Sequence, residues 1–228
     1  MLATRCGIAG NSLGFKPRFG STPRMTLRIR MSLISAALLL TGVATGGAED
    51  GKWISLFNGK NLEGWTAHGK AKWSVQDGVL VGIGGMGHIY KDVTCSDLEV
   101  KGTFRITDQG AKSNSGFYFR ANVPSDDING FPRGYEAQIC NDTEAGTGWL
   151  WKPGKPTGKA SVVQTKNGEW FSYRVRAIGP HIQFWIDDQL VMTYDDSEFK
   201  SGHFAIQGHN PGMKIEAKDL FYRDLSKH

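Results

Sequence analysis

The sequence predicts an all-β sandwich, and three observations carry that prediction. After residue 50 no helical period is sustained; short runs rich in Val, Ile, Phe, Tyr and Trp alternate with Gly, Asp and Asn. Within the runs apolar residues recur at every second position, so each run has a core face and a polar face. The runs follow one another closely, as antiparallel strands in two packed sheets do. At 228 residues the chain is long enough to bury a substantial core.

Taken in order, "KWSVQDGVLVGIG" reads as a hairpin, residues 72–76 and 79–83, turning at Asp77-Gly78. The run 97–107, "DLEVKGTFRIT", places Leu98, Val100, Gly102, Phe104 and Ile106 on one face. Next come "NSGFYFR" (114–120), a loop, "RGYEAQIC" from residue 133, and a long loop over 141–159. Residues 169–179, 181–187 and 189–196 read as three further strands, and 202–209 with 214–225 close the domain. The total is ten or eleven strands. The Gly-rich "GIGGMG" (82–87) follows a strand, but no helical pattern succeeds it, which excludes a phosphate loop.

The first 48 residues differ in kind. They hold six basic residues (Arg5, Lys16, Arg18, Arg24, Arg28 and Arg30) and no acidic one. Removing those six from the 27 Lys and Arg leaves 21 against 22 Asp and Glu, so residues 49–228 are nearly neutral. The net charge of +5 therefore belongs to the leader, and a nucleic-acid partner is excluded. A basic start, an apolar run from Leu33 to Leu40, and small residues ending at Gly46 and Ala48 read as a secretory signal. Cleavage is expected before Glu49, with Met25 or Met31 as the initiator and residues 1–24 upstream of it. The apolar run is too short to span a bilayer, so the expectation is an exported protein, periplasmic or extracellular, with no membrane span after cleavage. Residues 49–228 form the single folded domain. Its two cysteines, Cys95 and Cys140, are left open as a pair, and their spacing argues against zinc.

The polar faces carry the functional expectation. In "GYEAQIC" Tyr135, Ala137 and Ile139 face the core, while Glu136, Gln138 and Cys140 face away. In "NSGFYFR" Asn114, Gly116, Tyr118 and Arg120 share the polar face, and in "GHFAIQGH" His203, Ala205 and Gln207 do so. A face selected only for solubility favours Lys and Glu; this mixture of amides, phenol, guanidinium and one carboxyl suits sugar hydroxyls. The expectation is a common hollow on one sheet.

Seven segments, "WISLFNGKNLEGW", "WSVQDGVL", "NSGFYFR", "GYEAQICND", "TGWLW", "KNGEWFSYRV" and "FAIQGHNPGMKIEAKDLFYRDL", occur in order. Together, over residues 50–226, they resemble the 3-keto-disaccharide hydrolase domain family. The resemblance implies a concanavalin A-like jelly-roll sandwich with a concave ligand-binding sheet, a carbohydrate partner, and cleavage of glycosides whose ring carries a ketone at carbon 3. There is one departure: the family's closing segment commonly reads "LQDHG", whereas here Gly208 precedes His209 and Asn210 follows it. The connection "ANVPSDDINGFPR" is also longer than the family pattern leads one to expect.

A two-carboxylate glycosidase mechanism needs a second acid about 5–10 Å from the first, and Asp142 lies roughly 20 Å from Glu136 on a straight strand. A 3-keto sugar needs less, because its ketone acidifies the proton on carbon 2. One base, one stabiliser for the enolate oxygen and an acid for the leaving group suffice. The candidates are Glu136 and His209 for proton transfer, with Asn114, Tyr118, Arg120, Gln138, Asp142 and Gln207 to hold the ligand. One of Trp149 and Trp151, with Trp149 assigned, would stack on a sugar face. No cofactor is required, and a divalent metal stabilising the enolate is left open. Two other readings stand beside the enzyme: a non-catalytic carbohydrate-binding module and a partner domain in a cell-surface assembly.

Overall fold

Alternation of core-facing and outward side chains extends through most of the strands, and it sorts them into two layers. The computed structural model describes residues 51–109, 113–124, 130–141, 145–162 and 165–226; the leader, its cleavage point and Asp142 lie outside the described residues. In chain order the strands are β1 (Ile54–Ser55), β2 (Trp65–Gly69), β3 (Lys72–Gln76), β4 (Val79–Ile83), β5 (Gly87–Cys95), β6 (Leu98–Asp108), β7 (Asn114–Asn122) and β8 (Arg133–Cys140). They continue as β9 (Leu150–Lys152), β10 (Lys155–Gly158), β11 (Phe171–Ile178), β12 (His181–Ile186), β13 (Gln189–Asp195), β14 (Gly202–Gly208) and β15 (Met213–Asp224). None of the described residues forms a helix long and apolar enough to cross a membrane.

The first sheet runs β13-β12-β11-β6-β15-β4-β3, with β1 paired to β15; the second runs β10-β9-β8-β7-β14-β5-β2. All pairings are antiparallel. The β3–β4 hairpin turns at Asp77 and Gly78, both with positive φ (49° and 81°), which matches strand twist in a two-residue turn. Aromatic rings from the two inner faces meet between the layers: Phe104 with Phe117 at 5.5 Å, Phe119 with Phe184 at 6.0 Å, and Phe204 with Tyr222 at 5.5 Å. The five residues assigned to the inner face of β6 are all buried. Cys95 and Cys140 are both buried and form no disulfide.

The structure contains strands that the sequence reading missed. β2 and β5 form the far edge of the second sheet, and the hairpin β9–β10 occupies part of the expected long loop. β5 was hidden because "GHIYKDVTC" follows a Gly-rich run and carries polar residues that an exposed loop would also carry.

Arg120 corrects the alternation argument. β7 and β8 shift register between Phe119 and Asn122, and Arg120 has φ of 50°, so an extra residue bulges from β7. The bulge removes Arg120 from the face it would share with Tyr118 and gives that place to Ala121, which packs with Tyr118 and Ala205. The guanidinium is 2% exposed and ties three chain segments together. It donates to the carbonyls of Ser96 (2.7 Å), Gly179 (2.8 Å) and Phe199 (3.4 Å), and to Asp97 Oδ1 at 3.2 Å. Arg120→Ala strands these acceptors, and a loss of about 3 kcal/mol or more is expected in urea unfolding. Ligand binding by the remaining folded protein should be unchanged.

Candidate functional site

The outer face of the second sheet holds a carboxyl that a solvated strand would leave in water. β7 and β8 pair so that Tyr118 faces Glu136 and Gly116 faces Gln138. Glu136 is 9% exposed because its side chain folds back across Gly116. A Cβ at residue 116 would lie 2.0 Å from Glu136 Oε1 and 2.5 Å from its Cγ, so only glycine leaves this space.

The hydrogen-bond partners of the carboxyl are neutral groups. Tyr118 OH donates to Glu136 Oε2 at 2.7 Å, and Gln207 Nε2 on β14 donates to Tyr118 OH at 2.8 Å. Gln138, with its amide assigned to satisfy both ends, donates to the Ser115 carbonyl at 3.1 Å and Glu136 Oε1 at 3.2 Å. Among the described residues no Lys or Arg forms an ion pair with Glu136. Burial therefore pushes its pKa up to about 8, and the Tyr118 hydrogen bond offsets only part of that rise. At neutral pH the group is a carboxylic acid.

A cavity of about 270 Å³ opens over this carboxyl. Asn114, Tyr118, Glu136, Gln138 and Gln207 line it from β7, β8 and β14, and His209 from just beyond β14. The walls are Phe131–Arg133 on one side and Trp151–Gly154 of the β9–β10 hairpin on the other. Burial lowers the His209 pKa, with the Asn210 side chain partly offsetting the effect, so its imidazole is neutral at pH 7. The ring stacks on Phe131 at 5.1 Å with 16° between planes. Three lining atoms are buried without a hydrogen-bond partner: the acceptor Gln207 Oε1, the donor Trp151 Nε1 and His209 Nδ1. They are hydrogen-bonding positions for a polar ligand.

Of the residues singled out from sequence, the cavity brings together Glu136, His209, Asn114, Tyr118, Gln138 and Gln207. Arg120 does not join them, for the reason given above. Trp149 does not line the cavity either: it precedes β9, packs against the core and lies under Lys159 (5.6 Å), while Trp151, the register partner of Glu136, forms the wall. Phe131 was missed because it lies in an irregular connection; the aromatic residue within "NGFPR" was the available signal. Among the described residues no group of three or more His, Cys, Asp or Glu is placed to hold a metal ion.

Fold and site define a lectin-type jelly-roll sandwich with a buried, proton-holding carboxyl in a cavity on one sheet. The chain belongs to the 3-keto-alpha-glucoside-1,2-lyase-like domain family, whose model matches residues 52–226. Solved structures share the fold. A protein of Parabacteroides distasonis ATCC 8503, provisionally designated a glycosyl hydrolase, superposes with TM-score 0.60 at 23% identity, covering 76% of this chain and 94% of that one. The carbohydrate-binding module CBM66 of Bacillus subtilis gives 0.57 at 17% identity, covering 71% and 96%. A galectin-like protein of unknown function from Bacillus subtilis gives 0.57 at 14%, covering 76% and 94%. No curated protein matches the chain.

The raised pKa of Glu136 has a thermodynamic consequence. Its folded-state value lies above that of an unfolded carboxyl, so the native protein keeps a proton that the unfolded chain releases from about pH 4.5 upward. Stability is lost as pH rises through the window from about 4.5 to about 8. Glu136→Gln removes this dependence. Melting curves should show the variant gaining on the wild type as pH rises from 5 to 9, by an amount on the order of a few kcal/mol.

Proposed function

We propose that the protein cleaves glycosides whose sugar ring carries a ketone at carbon 3, by elimination across carbons 1 and 2. The observation carrying this reading is the pairing, in one cavity, of a neutral imidazole and a protonated carboxyl at neutral pH. Two groups whose surroundings keep their protonation states apart form a ready base and acid. His209 accepts the proton on carbon 2, which the adjacent ketone acidifies, and the C–H electrons pass into an enolate. As the enolate collapses to a carbon 1–carbon 2 double bond, the bond from carbon 1 to the glycosidic oxygen breaks. Glu136 protonates the departing oxygen. The products are the free alcohol and an unsaturated 3-keto sugar; later addition of water would make the net reaction a hydrolysis. Gln138 and Asn114 supply polar groups for the enolate oxygen and ring hydroxyls, and Gln207 Oε1 and Trp151 Nε1 supply further unpartnered hydrogen-bonding positions. The family description supports the substrate class.

The basic, then apolar, leader supports export to the periplasm or cell exterior. A second reading, a non-catalytic carbohydrate-binding module, is favoured by one observation. Gly208 stands where the family pattern has a carboxylate, and a Cβ there would meet the Ala71 Cβ at 2.5 Å.

The test is incubation of the chain from Glu49 onward with a 3-keto-glucoside carrying a chromogenic leaving group. Turnover should plateau between the depressed His209 pKa and about pH 8. Glu136→Gln and His209→Ala should each reduce it about 100-fold or more. Gly116→Ala, which removes no reacting group but displaces Glu136, should cost about 100-fold. Turnover indifferent to Glu136 and His209 would remove the assignment, and tight binding without turnover would favour the module.

A further inference from the structure

The half of the second sheet beyond the cavity carries residues whose burial needs an explanation. His88 on β5 points to the outer face, opposite Gln207 in register, yet it is 0% exposed. Ala121 and Ala205 on the same face are also 0% exposed. Outward residues of an edge-side strand are normally wet, so chain must cover them. The described parts of the β7–β8 connection do: Val123 packs on the Tyr118–Ala121–Ala205 cluster, and Gly130 lies on β2 and β5.

Gly130 rests in a notch made by two further glycines. Gly69 and Gly87 are register partners, and a Cβ built on Gly130 would lie 3.4 Å from the Gly87 Cα and 3.8 Å from the Gly69 Cα. Beside the notch, His88 Nδ1 lies 2.5 Å from the Gly130 carbonyl oxygen. A carbonyl only accepts, so Nδ1 carries the hydrogen and donates. The next residue, Phe131, stacks on His209 and lines the cavity.

The geometry points to His88 as a positioning residue: by donating to the Gly130 carbonyl it seats residues 130–132 in the glycine notch and holds Phe131 against His209, closing the cavity on the β5 side. His88 does not line the cavity, and it acts through the strap. The β9–β10 turn, with Pro153 and Gly154, lines the cavity as well. Burial, reinforced by His68 at 5.2 Å, pushes the His88 pKa down to about 4, despite the bond to Gly130. The ring therefore stays a neutral single donor wherever the protein would act. Tyr90, at 5.9 Å, is the other ring against it.

The inference takes the cavity as the ligand site proposed above, but its test needs no turnover. In the ligand-free protein, NMR reads the His209 ring protons and their titration in the wild type and in His88→Leu, His88→Asn and Phe131→Ala. The titratable groups sharing the cavity with His209 are Glu136, Tyr118, Arg133 and Lys152, and none is altered. Asparagine places an N–H one bond from Cγ, as Nδ1 is placed, whereas leucine fills similar space without a donor. In His88→Leu the ring-current shift from Phe131 should vanish and the His209 pKa should rise toward the ordinary imidazole value, as in Phe131→Ala; His88→Asn should retain both wild-type properties. Wild-type His209 signals in a folded His88→Leu protein would overturn the proposal. So would failure of His88→Asn to restore them, which remains readable if the leucine variant does not fold. Loss of turnover on 3-keto-glucosides with intact His209 signals would count against the functional reading alone.

Discussion

A single buried carboxyl organises the second sheet. Burying Glu136 costs most when it is charged and without a counter-ion, and the described surroundings supply none. What they supply are dipoles: the Tyr118 hydroxyl, the Gln138 amide and, behind Tyr118, the Gln207 amide. Those three side chains come from β7, β8 and β14, so one acid fixes the relative setting of three neighbouring strands. Ser115, whose hydroxyl donates to the Gln207 carbonyl at 2.7 Å, ties β7 to β14 at the same level. The arrangement tolerates a proton on the acid better than its loss, and this makes the group chemically useful.

The departure at Gly208 becomes intelligible in this setting. Gly208 pairs with Gly87, and Ala71 occupies the space that a side chain at 208 would need. The position is closed by packing, so a carboxylate could not be restored without moving Ala71. In the proposed reaction, proton transfer is therefore assigned to Glu136 and His209 alone. Close by, the register pair Gly69 and Gly87 lets the Gly130 strap approach β2 and β5.

Most of the fold was legible because period-two alternation holds wherever a strand is regular. The turn at Asp77-Gly78, the inner face of β6 and the polar faces of β7, β8 and β14 all follow from it. It failed where regularity failed. One inserted residue on β7 turns Arg120 away from Tyr118, and nothing in "FYFRAN" announces a bulge, because arginine has no preference for positive φ. Trp149 and Trp151 share parity in the sequence, but only Trp151 lies in a strand, so alternation applies to one of them. His88 and Gly130 were invisible for a different reason: their contact joins residues 42 apart through a backbone carbonyl, which any residue could supply.

The outer faces of the two sheets solve the same burial problem in opposite ways. On the first sheet, Glu99 is buried, but Arg174 (3.0 Å), Arg223 (2.6 Å) and Arg176 (3.6 Å) converge on it. Glu216 likewise meets Arg105 at 2.6 Å and Lys214 at 2.9 Å, and its pKa is lowered by those cations despite burial. Trp53, Trp170 and Trp185 on that sheet are each covered by Lys or Arg. Arg105 and Lys214 hold the Glu216 carboxylate charged, with no proton to give at neutral pH. Glu136 has the same chemistry and a similar depth, but among the described residues no Lys or Arg forms an ion pair with it. Its pKa therefore moves the other way, and the contrast within one molecule is what singles out the second sheet's carboxyl as the candidate proton donor of the proposed reaction.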